Sequence, residues 1–236
     1  TESYHFKAIS VLTEASIKLD LDATTFAGAA TLYHRFYKSI SIDDVDPHTL
    51  LMSCVHLAAK LLDKSVYSRD IINVFYQTLH PDKEPLEGGN NQVYNGLRQS
   101  LATCELFLVR AVGFSTELQL PHPHLLYQLS AIADWMPPGA LRQSRLPTLA
   151  WSVLRDSYHA PLCLSYPPQA LSLGVIAVAM RLIGLRLPGE IESRQPWYRA
   201  LWPEASAGLM DRLVTDICRV YQLDQVLGAG APAGFN

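Results

Sequence analysis

Apolar positions recur along this chain with a helical period, and sustained period-2 alternation of the strand kind is absent. In residues 23–37 (ATTFAGAATLYHRFY), Phe26, Ala29, Ala30, Tyr33, Phe36 and Tyr37 fall on one helical face. Ile71, Ile72, Phe75 and Leu79 line another, with Ser68 placed as its N-cap. Leu97, Leu101, Cys104, Leu108, Ala111 and Val112 form a third. With an opening helix over 4–19 and the apolar run 47–62 (PHTLLMSCVHLAAKLL), the first half is predicted to hold five helices. A polar loop over 81–91 (PDKEPLEGGNN) interrupts them, and 113–123 (GFSTELQLPHP) reads as an extended linker. A second helical series follows, over about 123–136, 146–160, 167–185, 196–202 and 206–223.

The two series look like one unit used twice. At an offset of 121 residues, Ala58, Lys60 and Leu61 fall on Ala179, Arg181 and Leu182, and Tyr37 falls on Tyr158. The expectation is an all-α protein of two five-helix bundles, 1–118 and 119–227, with a flexible glycine-rich tail over 228–236.

Composition narrows the function. Apolar residues make up 49% of the 236 residues and charged residues 17%, enough to fill a core in each bundle. The net charge is −3 and every lysine lies in the acidic first half, so neither half offers a basic field for nucleic acid. Cys54, Cys104, Cys163 and Cys218 are scattered without a C-x-x-C pair, which argues against a zinc site or disulfide framework and for a reducing, intracellular setting. No secretory signal pattern opens the sequence. The run 171–187 is split by Arg181 and Arg186 and is shorter than the ~20 residues of a membrane span.

Catalytic and metal motifs fail on spacing. Asp43, Asp44 and Asp46 precede Pro47, before a helix rather than one turn apart inside it, and so read as capping or solvated carboxylates. His122-Pro123-His124 lacks a third ligand and reads as a linker turn. Residues 228–234 do not have G-x-G-x-x-G spacing and follow no strand. Arg69-Asp70 and Arg155-Asp156 read as helix-end charges or ion pairs, and Arg142 and Arg145 as a solvated basic loop. No nucleophile elbow is present, and no cofactor or metal is expected.

Two charges stand out against apolar surroundings. Lys60 comes late in the run 47–62, and Glu105 sits mid-helix between Cys104 and Leu106. Taken singly, each is an ordinary snorkelling or solvated residue. Together on one face, an ammonium with three donors and an acceptor-only carboxylate suit the unpaired backbone at one end of a partner's helix.

The stretches 23–37 (ATTFAGAATLYHRFY), 57–60 (LAAK), 69–74 (RDIINV) and 104–114 (CELFLVRAVGF) resemble a cyclin box, and the resemblance extends over nearly the whole chain. Ala150-Trp151, 154–159 (LRDSYH), Pro196-Trp197 and 84–87 (EPLE) are most similar to the divergent cyclin Q branch of that family. The resemblance implies a tandem cyclin fold, with an N-terminal cyclin box over 1–118 and a cyclin-like bundle over 119–227. It implies a non-enzymatic regulatory subunit that docks on the αC helix of a cyclin-dependent kinase, for this branch cyclin-dependent kinase 10, in the nucleus or cytoplasm. Lys60 and Glu105 would bind backbone preceding αC, with Leu61, Val109 and Phe114 as apolar contacts. ATP, Mg²⁺ and the catalytic Asp would belong to the kinase.

Two departures from the family pattern matter. Leu61-Leu62-Asp63-Lys64 keeps one acid where cyclin boxes have an acidic pair, and the first helix lacks the Met-Arg-Ala-Ile-Leu patch that recruits substrates. Rival readings are a cyclin-fold factor on promoter DNA, which the charge distribution opposes, and an all-helical enzyme, for which no convergent site is visible.

Overall fold

The structure is a computed structural model that describes residues 2–42, 45–86, 91–187 and 196–228. Among the described residues there is no strand. The chain divides into two compact units, Thr1–Leu118 and Gln119–Asn236.

Unit 1 holds α1 (Glu2–Lys18), α2 (Ala23–Tyr37), α3 (Pro47–Leu61), α4 (Ser68–Leu79) and α5 (Gln92–Ala111). Helix α3 is the central one and packs against the other four. A helix enclosed this way must be apolar all round, and Leu50, Leu51, Met52, Cys54, Val55, Leu57, Ala58 and Ala59 are all buried. Its start is set by Pro47 in the first turn and by Asp46, whose carboxylate accepts from the Thr49 N–H at 2.8 Å. Asp22 caps α2 in the same way, accepting from the Thr25 N–H at 2.8 Å.

Unit 2 holds α6 (His122–Asp134), α7 (Ala140–Gln143), α8 (Leu146–Ser157), α9 (Leu162–Ser165), α10 (Pro168–Ile183), α11 (Trp197–Leu201) and α12 (Ala207–Gly228). Helix α10 takes the central place and packs against α6, α8, α9 and α12. Short α11 lays Trp197, Tyr198 and Leu201 against a core of Leu173, Ala205 and Met210.

The internal repeat has a structural counterpart. Ala58 in α3 and Ala179 in α10 are fully buried, while Lys60 and Arg181 are exposed in the last turn of the same helices. At that offset Ser53 corresponds to Gly174, and both meet the long last helix of their own unit. Ser53 Oγ donates to the Leu101 carbonyl of α5 at 3.2 Å. A Cβ on Gly174 would lie 1.3 Å from Leu213 Cδ2 of α12.

Four local expectations are corrected. Ser68 is the first helical residue of α4 and not its cap; Tyr67 holds the cap position without a side-chain bond, and Asp70 in the first turn supplies the favourable negative charge instead. The linker ends at Pro121, because His122 opens α6: Pro123 is tolerated in a first turn, and the His122 ring is buried with its centroid 5.2 Å from Trp151 and 6.5 Å from Tyr158. The helix expected over 146–160 stops at Ser157 and is followed by the separate turn α9, with Pro161 between them. Helix α12 continues to Gly228, past the expected 223. Asp43, Asp44 and the tail 229–236 lie outside the described residues.

Candidate functional site

The last two turns of α3 and the middle of α5 form the candidate site. On α3, residues four apart share a face, so Lys60 stands one turn beyond His56. On α5, Glu105 stands one turn beyond Leu101, whose carbonyl is the one that receives the Ser53 hydroxyl. Two helices joined at Ser53–Leu101 and running side by side thereby bring Glu105 opposite both His56 and Lys60.

The contacts are direct. Lys60 Nζ donates to Glu105 Oε1 at 2.6 Å, and His56 Nδ1 donates to Glu105 Oε2. The Glu105 side chain is 16% exposed and that of Lys60 is 53% exposed, so the carboxylate is set into the surface and the ammonium stands out of it. Burial raises the Glu105 carboxyl, but the hydrogen bonds from His56 and Lys60 outweigh it and hold the group below its ordinary value.

That shift has a definite sign in stability. A carboxyl held low in the folded chain binds protons more readily after unfolding, so its contribution is complete above the ordinary value of 4.5 and is lost as pH falls below it. Urea midpoints of the full chain and of Glu105→Gln should differ most above that pH, and the gap should close on acidification. A gap constant from neutral to acid pH would remove the assigned ion pairing.

Exposed apolar side chains follow Glu105 along the chain. Leu106 and Phe107 on α5 are exposed, and the Phe107 ring meets Phe36 edge-on at 5.6 Å. Leu61 and Val109 are half-buried. Phe114 lies just past α5, 70% exposed, with φ +57 following Gly113 at φ +64. A phenyl held in solvent on a left-handed backbone costs stability on both counts. Lys64, which stands in place of the family's acid, is spent internally: its ammonium is 2.8 Å from Asp22 Oδ2, the carboxylate that caps α2.

The structure thus brings Lys60 and Glu105 into contact, with Leu61 on α3, Val109 on α5 and Phe114 just past α5. His56 was missed from sequence, although its place four residues before Lys60 was a usable signal. The other sequence candidates do not converge with them. Arg69 and Asp70 are exposed on α4; Arg155 Nε is 3.8 Å from Asp156 Oδ1 in unit 2; Arg142 lies in α7, and Arg145 precedes α8 with φ +58. Among the described residues no three His, Cys, Asp or Glu are arranged to hold a metal ion, and no helix is long and apolar enough to cross a membrane.

Comparison with known proteins sets this geometry in a family. Residues 2–116 match the family described as Cyclin, N-terminal domain. Cyclin-L1-1 of Arabidopsis thaliana is 26% identical over 213 residues, covering 89% of this chain and 47% of that protein. Cyclin-L2 of Mus musculus is 25% identical over 212 residues, covering 89% of this chain and 38% of that protein. The chain therefore spans less than half the length of these relatives. Among solved structures, a chain of the yeast RNA Pol II CTD kinase CTDK-1 complex superposes with a TM-score of 0.73 at 13% identity, covering 100% of this chain and 78% of that one. A chain of the CAK complex of Chaetomium thermophilum bound to ATP-gamma-S gives 0.67 at 16% identity, covering 94% and 64%. Residues 2–116 are thus similar to a cyclin N-terminal domain, and the likeness to these solved chains extends over the second unit as a shared fold.

Proposed function

We propose that this chain activates a cyclin-dependent kinase by docking the α3–α5 face of unit 1 on the kinase's αC helix. The observation that carries the reading is the Lys60–Glu105 pair at 2.6 Å on that face, with exposed Leu106, Phe107 and Phe114 following Glu105 along the chain. A small charged centre within apolar surface is the composition of a specific protein interface. Lys60 offers its ammonium to backbone carbonyls of the partner and Glu105 accepts from backbone N–H groups. Leu61, Val109 and Phe114 supply apolar contact.

The chain performs no chemistry in this reading. Docking stabilises the kinase conformation in which αC is turned inward, and the kinase's own Lys–Glu pair and activation loop follow by population shift. The partner we assign is cyclin-dependent kinase 10, on the likeness of residues 69–74, 84–87 and 154–159 to the cyclin Q branch. Likeness to a chain of an RNA Pol II CTD kinase complex supports work in the nucleus. The domain assignment goes with this: a cyclin box over 1–118 makes the contact, and the bundle over 119–227 completes the tandem fold.

Co-expression with a panel of cyclin-dependent kinases tests the reading. The expected result is a stable complex with cyclin-dependent kinase 10, catalytically active only when the chain is present. Copurification with a different kinase would overturn the partner, and copurification with none would overturn the function.

A further inference from the structure

Each oxygen of Glu105 has its own hydrogen-bond partner on α3: Oε1 takes the Lys60 ammonium at 2.6 Å, and Oε2 takes His56 Nδ1. The two partners differ in what they can do next. Lys60 is 53% exposed on a flexible four-carbon stem, with two of its three N–H donors uncommitted by the bond to Glu105. His56 is only 17% exposed, short, and one turn deeper along the helix, so its ring stays with Glu105 wherever the lysine goes.

We propose that His56 is a positioning residue, retaining the Glu105 carboxylate in place while the Lys60 ammonium turns outward to a carbonyl of the docked partner. This rests on the docking reading above and deepens it. A carboxylate only 16% exposed is costly to leave without a partner. Were Lys60 its sole partner, releasing the lysine would oppose binding, and the pair would stay closed on itself. With His56 on Oε2, release of Lys60 vacates Oε1 alone, and that oxygen is then available to a backbone N–H of the partner. The carboxylate keeps its charge and its direction through the exchange.

The substitutions that separate this from a packing role are His56→Phe, which keeps an aromatic ring and removes the donor, and His56→Asn, which keeps an N–H near the Nδ1 position. Carboxyl ¹³C NMR titration of Glu105 in the full chain needs no kinase. In Lys60→Ala the Glu105 midpoint should remain below the ordinary 4.5, and adding His56→Phe should raise it to that value or above. If Lys60→Ala alone raises it as far as the double variant does, His56 retains nothing and the proposal is wrong. In kinase binding, His56→Phe should weaken the complex by about tenfold, the loss of one charge-assisted hydrogen bond, and His56→Asn should recover most of it. Binding by His56→Phe equal to the parent, or His56→Asn as weak as His56→Phe, would also overturn it. If the unsubstituted chain binds no kinase, the docking reading fails and the NMR titration decides the role of His56 by itself.

Discussion

Replacing Lys60 and Glu105 together with Ala should abolish most kinase binding while the helices remain intact. Each side chain is assigned a charge-assisted hydrogen bond to the partner's backbone, worth about 1.5–3 kcal/mol. Loss of both costs about 3 kcal/mol or more, which is upward of a hundredfold in affinity. The helices themselves do not depend on this pair. Lys60 is half exposed, and α3 is held by the buried residues from Leu50 to Ala59 rather than by its last turn. Helical circular dichroism of the variant should therefore match the parent, and titration calorimetry with the kinase should show the loss. Binding within threefold of the parent would remove the α3–α5 face from consideration. The single variants should differ from each other. Lys60→Ala leaves Glu105 paired with His56, whereas Glu105→Ala leaves His56 and Lys60 as two adjacent positive or polar groups with no acceptor between them.

The architecture was readable because burial imposes a period. Helices α4 and α5 show one apolar face each, whereas α3 and α10 show apolar or small residues on every side, and α2 is buried all round from Thr25 to His34. The offset of 121 residues was visible for the same reason: Ala58 and Ala179 are both fully buried on the central helix of their unit. Local chemistry was harder to read. Ser68 has the right side chain for a cap, yet α4 begins on it and Tyr67 holds the cap position, with Asp70 as the acid of the first turn. His122 carries a polar label but works as a flat ring between Trp151 and Tyr158. His56 was passed over because it sits in an apolar run, and its meaning depends on α5, which arrives 49 residues later in sequence. Likewise Lys64 looked like a disturbance of the docking edge until its bond to Asp22 accounted for it. Periodicity reports which face is buried, and a side chain's partner across a helix pair is a tertiary fact.

Gly174→Ala should destabilise the chain, although the position is mid-helix, where alanine is ordinarily the better residue. Helix propensity alone favours the substitution by about 1 kcal/mol. The added methyl, however, falls 1.3 Å from Leu213 Cδ2 and 2.7 Å from its Cγ, with Ile217 Cδ1 at 3.4 Å. Leu213 and Ile217 are fully buried, so neither can turn aside into solvent. Either Leu213 leaves its rotamer or α12 recedes from α10, and overpacking of this kind costs about 1–3 kcal/mol. With so deep an overlap the upper end applies, giving a net loss of about 2 kcal/mol and a melting temperature lower by about 4–8 °C for a chain this size. The partner substitution makes the cause testable. Leu213→Ala by itself opens a cavity costing about 2–5 kcal/mol, but in its presence the Gly174→Ala methyl has room and fills part of the void. The double variant should therefore be more stable than the sum of the two single losses, a coupling expected of side chains in direct contact. Strict additivity, or a Gly174→Ala chain more stable than the parent, would mean that α10 and α12 do not approach as closely as Gly174 allows.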